Sequence, residues 1–311
     1  MKKKIFLVLI IFEFSIVIFL FILIFFKKNI LSKRLINPIN SRSIQKKPTE
    51  KLKHFWEPTS NAIEEVHNQW LSYTPKYTIN NDALNERFNY DSPKKEKGTF
   101  RIITLGDSFT FGENVDTKDN WTEVLEDLLN KGMICSKIKK FEVINLGVSG
   151  YDTAYEVERY KIRGAKYKPD IVIMMVIDFM RMTDYRIDNC KISPLKVKEL
   201  REKWLDIPTE NEDKKLEDNT RISYQYPHYE RLFQLFQGPL LIVDHEKNAK
   251  AKIFFDTLKK KSSKVIYSKT SFPIFEKEKI LLDGHPNVDG HKALAKDILE
   301  SILKNNLISC N

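Results

Sequence analysis

The run Asp170–Ile177, "DIVIMMVI", constrains the fold more than any other stretch, because after its first residue it carries no polar side chain. A strand with one wet face alternates polar and apolar residues. A strand apolar on both faces has to be covered on both. Two similar runs come before it, "FRIITL" (Phe100–Leu105) and "FEVINL" (Phe141–Leu146). Helical patterns lie between them. In "DNWTEVLEDLLNKG" one face collects Trp121, Val124, Leu125, Leu128 and Leu129, with Asp119 placed to cap the start and Gly132 to end it. "DTAYEVERYKIRGAKY" is a second helical stretch. Further on, "PLLIV" reads as a fourth strand, "AKAKIFFDTLKK" as a helix and "KVIYS" as a fifth strand. A last helix from about residue 287 to 303 turns Leu294, Ile298 and Ile302 inward. Strand and helix in alternation predict an α/β protein whose central parallel sheet has helices on both faces.

The N-terminal part follows other rules. Ile5 to Phe26 holds one charge, Glu13, between "MKKK" and "KK". As a helix rising about 1.5 Å per residue it would cross a bilayer, which needs about 20 apolar residues. A cleaved signal peptide would be shorter in its apolar part and would end in small residues, whereas Phe25-Phe26-Lys27-Lys28 follows here. The expectation is therefore an uncleaved single-pass membrane anchor, with the soluble part extracytoplasmic. Charge counting alone argues for the opposite orientation, since bases are more numerous after the anchor than before it. The expected organisation is a short flank at 1–4, the anchor at 5–26, a basic juxtamembrane linker and lead-in at 27–97, and a main domain at 98–305 with an insertion or lid at about 190–237.

Net charge needs the same dissection. The chain has 52 bases and 42 acids; residues 1–53 hold twelve of those bases and two of the acids, so the remainder holds 40 of each. The basic excess lies beside the anchor and the main body is neutral, which argues against a nucleic-acid binder. Three widely spaced cysteines, Cys135, Cys190 and Cys310, suggest neither a disulfide framework nor a metal cluster.

Ligands of open parallel sheets bind at the carboxyl ends of the strands, and polar loops follow three of the strands. They are "GDS" after the first, with Asp107 and Ser108, "NLGVSG" (Asn145–Gly150) after the second, and "DFMRMTD" (Asp178–Asp184) after the third. A fourth loop, "LLDGHPNVDGH" (Leu281–His291), precedes the last helix. A serine hydroxyl becomes a nucleophile once a base takes its proton; taken alone, Ser108 would equally serve as a helix cap. His285 is the candidate base. Asp283, two residues before it, points the same way in an extended segment and can hold one ring nitrogen while the other stays free. Pro286 suits the first turn of the following helix. His291 sits inside that helix, where packing or exposure is the simpler reading, and His54, His67, His228 and His245 read as structural or exposed.

"GDSFTFG", "NLGVSGYDT", "YKPDIVI" and "DGHPNVDGHKALA" resemble the motif blocks of the SGNH/GDSL hydrolase family, over roughly residues 98–305 without the insertion. The resemblance implies a flavodoxin-like three-layer α/β/α fold and ester hydrolysis or acyl transfer through an acyl-enzyme. It implies Ser108 as nucleophile, His285 as base and Asp283 as its orienter, with the backbone N–H groups of Ser108 and Gly147 in the oxyanion hole. No metal or organic cofactor is called for. Ile177 stands where the family offers an oxyanion Asn. A substitute donor such as Asn145 or Asn189, a two-donor enzyme, or a site that mainly binds glycan or lipid are the readings left open. Arg181 is placed to neutralise Asp178, to hold an anionic substrate, or to form a surface ion pair. The expected activity is a serine esterase on small acyl, in particular acetyl, esters of an envelope glycan or lipid. An O-acyltransferase with the same triad and a non-catalytic binding module are the alternatives.

Overall fold

In the computed structural model the described residues are 39–40, 45–46, 52, 55–92, 94–132, 134–177, 179, 181–183, 218–245, 249–269 and 278–310. Residues 5–26, expected as an anchor, lie outside them, as do Asp178, Asn189 and 190–217 of the expected insertion. No helix among the described residues is long and apolar enough to cross a membrane.

The strands are β1 (Ile39–Asn40), β2 (Gln45–Lys46), β3 (Trp56–Glu57), β4 (Ala62–Glu65), β5 (Lys76–Ile79), β6 (Thr99–Leu105), β7 (Lys140–Asn145), β8 (Ile171–Val176), β9 (Leu240–Asp244) and β10 (Val265–Lys269). The helices are α1 (Ser108–Phe111), α2 (Trp121–Lys131), α3 (Thr153–Arg159), α4 (Asp218–Leu235), α5 (Ala249–Lys261) and α6 (Val288–Lys304). The five strands expected from the apolar runs form one sheet in the order β10-β9-β8-β6-β7, and every pairing in it is parallel.

Side chains along a strand point alternately to the two faces, and the two apolar cores follow that alternation. Ile103, Leu105, Ile144, Val172, Met174 and Ile242 meet Tyr229, Leu232, Phe254 and Phe255 of α4 and α5 on one face. Ile102, Val143, Ile171, Ile173, Met175 and Leu241 meet Trp121, Leu125 and Leu129 of α2 and Leu294, Ile298 and Ile302 of α6 on the other. All six residues of β8 are buried, as its composition demands. Each such aliphatic side chain stabilises the fold by about 1.5–3 kcal/mol on burial.

Two local expectations are refined. The N-cap of α2 is Asn120, with no side-chain cap bond, while Asp119 ends a short 3-10 turn. Of the expected α2 face, Trp121, Leu125 and Leu129 are fully buried and Val124 and Leu128 pack at its edge. The second half of the expected insertion is helical: Tyr229 and Leu232 of α4, with Phe236 just past its end, are buried against the sheet. The uncharged polar residues among its apolar ones and Pro227 obscure the helical period in the sequence.

The lead-in is folded onto the main domain from residue 55 onward. Glu57, 1% exposed, pairs with Arg159 Nη1 at 2.8 Å and Arg163 Nε at 2.9 Å. Phe55 and Trp56 pack on Tyr151 and Tyr155 beside the loop after β7. The antiparallel pair β4–β5 brings Tyr77 edge-on to Phe111 of α1, ring centroids 5.0 Å apart. These contacts set the lead-in against the carboxyl ends of the strands.

Candidate active site

In the order 2-1-3-4-5 of such sheets, the crevice opens where the connections reverse direction, here between the ends of β6 and β8. β6 ends at Leu105, and α1 begins three residues later. At Gly106, with φ at 156°, an added Cβ would lie 2.1 Å from Thr110 Oγ1, so only glycine permits this turn. Asp107 caps α1, its Oδ1 accepting from Phe109 N at 3.1 Å. Ser108 is thus the first helical residue, not the cap, and it is 9% exposed. Gly112, with φ at 85°, closes the helix.

His285 and Asp283 come from the loop before α6, and the structure brings them to Ser108. His285 Nε2 lies 2.8 Å from Ser108 Oγ, and Nδ1 lies 2.8 Å from Asp283 Oδ2. The Asp283–His285 contact is made through a turn and not an extended segment. Gly284 sits at φ 88°, Leu281 N donates to His285 O at 2.7 Å, and His285 N donates to Asp283 Oδ1 at 3.1 Å. Asn287 caps α6, and Pro286 forms an isolated bridge with Ile280 just before it. The Phe109 ring lies against the His285 ring, centroids 5.3 Å apart.

The His285 ring is surrounded by acids. Burial works against its charged form, but the Asp283 hydrogen bond and the charges of Glu113, Asp283 and Asp107 outweigh it and raise the pKa to about 9. For Asp283, burial pushes upward, and the His285 contacts bring the net value below the ordinary carboxylate range. His291 is fully buried, its Nδ1 accepting from Trp121 N at 3.2 Å, and burial lowers its pKa to about 3. His245 is buried too and lowered to about 4, chiefly by burial. Both rings are therefore neutral at pH 7.

The remaining expected site residues have other duties. Asn145 is fully buried, and its Oδ1 accepts the Gly147 N–H at 2.8 Å, so that backbone donor is spent inside its own loop. Gly147 also packs so tightly on α1 that an added Cβ would lie 2.4 Å from Phe111 N. Ile177 lines a small recess of about 10 Å³ with Asp107, Tyr151, Asp152, Thr153, Glu156, Met175 and Val176, and brings no hydrogen-bond donor on its side chain. Arg181 Nη1 donates to Asp107 Oδ2 at 3.1 Å and to Tyr151 O at 3.3 Å, tying the loops after β6, β7 and β8 together. Burial, with the charges of Asp107 and Asp152, raises the Glu156 pKa well above the carboxylate range. Among the described residues no group of three or more His, Cys, Asp or Glu side chains is arranged to hold a metal ion.

Two neighbours of the triad escape a sequence reading. Glu113 accepts a hydrogen bond from Ser149 Oγ, and its Oε2 lies 3.9 Å from His285 Nε2. Asn114 Nδ2 donates to Asp283 Oδ2 at 2.7 Å. Their only sequence signal is position, just past the glycine that ends α1.

Fold and site together describe a parallel α/β protein with a Ser–His–Asp array at the carboxyl ends of its strands. No family model matches the chain, and no curated protein matches it. Solved structures similar to it include a G-D-S-L family protein from Desulfitobacterium hafniense DCB-2, with 15% identity and a TM-score of 0.40 over 65% of this chain and 98% of that one. The psychrotrophic esterase EstA from Pseudoalteromonas sp. shows 12% identity and a TM-score of 0.45, over 66% and 98%. A Clostridium thermocellum family 3 carbohydrate esterase shows 15% and 0.42, over 67% and 96%.

Proposed function

We propose that this chain is a serine-dependent esterase acting on short acyl esters, acetyl esters foremost. The observation that carries the reading is the continuous chain Ser108 Oγ–His285–Asp283, with both links at 2.8 Å. Ser108 Oγ attacks the ester carbonyl carbon while its proton passes to His285 Nε2. The tetrahedral intermediate collapses to an acyl-serine, and His285 returns the proton to the departing alkoxide. His285 then takes a proton from water, whose oxygen attacks the acyl carbon; collapse restores Ser108 and releases the acid. Asp283 orients the ring and stabilises it when charged. The Ser108 N–H, at the first position of α1, is a backbone donor for the developing oxyanion.

Substrate size follows from the surroundings. The recess that Asp107, the residue before Ser108, shares with Asp152 and Glu156 is small and polar-lined. A long aliphatic chain would desolvate these polar groups without replacing their hydrogen bonds; an acetyl group on a polar alcohol such as a sugar would not. Ile177 and the occupied Gly147 N–H favour a second reading, a module that binds such an ester without turning it over. The test is turnover of p-nitrophenyl acetate by the full chain and by Ser108→Ala. Loss of at least about 10³-fold is expected. Equal rates would remove the assignment, and an intact protein that a serine-directed fluorophosphonate does not label would favour the binding module.

We further read Ile5–Phe26 as a membrane anchor that keeps the enzyme beside an envelope glycan or lipid substrate, with the catalytic part extracytoplasmic. The expected results are retention in membranes through alkaline carbonate washing and digestion by protease added to intact cells. Release by carbonate would overturn the anchor, and protection from protease the orientation.

A further inference from the structure

Asn114 lies 2% exposed in the loop after α1, and all four of its polar groups are engaged. Its Nδ2 donates to Asp283 Oδ2 at 2.7 Å, the same oxygen that meets His285 Nδ1. Its Oδ1 accepts from Asn68 Nδ2 at 2.8 Å, so only the amide nitrogen can face Asp283. Its backbone N–H donates to Tyr77 Oη at 2.7 Å, and its carbonyl accepts from Tyr73 Oη at 2.5 Å. Asn114 also holds a left-handed backbone, φ 67°. For a non-glycine residue that conformation is uncommon, and it persists where surrounding contacts over-determine it.

Asn68, Tyr73 and Tyr77 all belong to the lead-in, outside the stretch whose motifs match the hydrolase resemblance. Asp283 sits 169 residues beyond Asn114. A carboxylate in a turn can rotate about its own side-chain bonds. Here one oxygen is held by the His285 N–H and the other by Asn114 and the His285 ring together. We propose that Asn114 is a positioning residue for the reaction, a fourth member of the array that locks Asp283 against His285, and that the lead-in clamps it in place. This rests on the esterase reading above. It extends the site from the triad into residues 68–77, so the lead-in is part of the catalytic apparatus.

The backbone supplies a clean test. At φ 67° glycine is the residue best suited, so Asn114→Gly removes the amide while leaving the backbone and its bonds to Tyr73 and Tyr77 available. Full-length wild type, Ser108→Ala, Asn114→Gly and Asn114→Asp are assayed on p-nitrophenyl acetate, with the active fraction counted by fluorophosphonate labelling. For Asn114→Gly, kcat is expected to fall about 10- to 100-fold per labelled site, the size seen when an outer partner of a site ligand is lost, with KM within about twofold. Asn114→Asp sets a carboxylate against Asp283. With Glu113 and Asp107 already facing His285, and His291 buried nearby, the acid limb of its pH profile moves to higher pH. Asn68→Ala gives a smaller loss in the same direction. A purely structural role would instead lower the labelled fraction and leave kcat per labelled site and the pH profile unchanged, which overturns the proposal. If Ser108→Ala keeps wild-type activity, the esterase reading itself fails; if Ser108→Ala is dead and Asn114→Gly is not impaired, only this inference does.

Discussion

Glu113 Oε2 lies 3.9 Å from His285 Nε2, the nitrogen that also faces Ser108 Oγ. In the proposed mechanism a carboxylate there stabilises the imidazolium that forms when Ser108 gives up its proton, and also makes the resting ring harder to deprotonate. With the His285 pKa at about 9, roughly 1% of the rings are neutral at pH 7. For a base that must start neutral, kcat/KM rises about tenfold per pH unit until it levels near that value. Glu113→Gln keeps an acceptor for Ser149 and removes the charge. Its acid limb is expected to move down by about one unit, read from kcat/KM between pH 6 and 10.

Stability has its own pH dependence. Burial raises the Glu64 pKa to about 7, and burial with the Glu123 charge raises that of Glu126 to about 7; His285 is raised to about 9. Each binds its proton more tightly folded than unfolded. Its contribution is full below the ordinary value and is lost as pH climbs through the folded one. Tm is therefore expected to fall between about pH 5 and 9, by at least about 5 °C. In Glu126→Gln the amide carbonyl can still accept from Val143 N and Tyr90 Oη, so the drop across pH 7 flattens. Thermal scans across the series check both.

Glu57 holds the lead-in to α3. Its removal takes away the carboxylate that Arg159, wholly buried, and Arg163 share. Breaking a buried pair from one side costs about 3–5 kcal/mol. Glu57→Ala is expected to lose that much in chemical denaturation.

Gly147 tests the packing of the loop after β7 on α1. A methyl group there would overlap Phe111 N and the Thr110 carbonyl carbon, backbone that cannot swing aside. Gly147→Ala is expected to cost more than about 2 kcal/mol and to lower kcat by displacing the start of α1. Denaturation and labelled-site kinetics on one sample measure both.

The layered fold was legible because its signals are local. The apolar run that follows Asp170 is the clearest case: a segment without a polar side chain can only be buried, and β8 is buried throughout. Helix α4 was illegible because its apolar residues are interleaved with uncharged polar ones and interrupted by Pro227. The cap of α2 shifted by one residue because a 3-10 turn, not a side-chain bond, leads into the helix.

For the site, the sequence by itself determined which groups have the chemistry. A serine after a strand and an Asp-x-His loop before the last helix are short motifs, and Asp283 and His285 meet through a single turn. Tertiary structure alone decided what surrounds them. Asn114 reaches Asp283 and Glu113 reaches His285 only because the lead-in, α1 and the loop before α6 close on one another. Contacts between residues so far apart in sequence depend on how whole layers pack, and no local spacing encodes that.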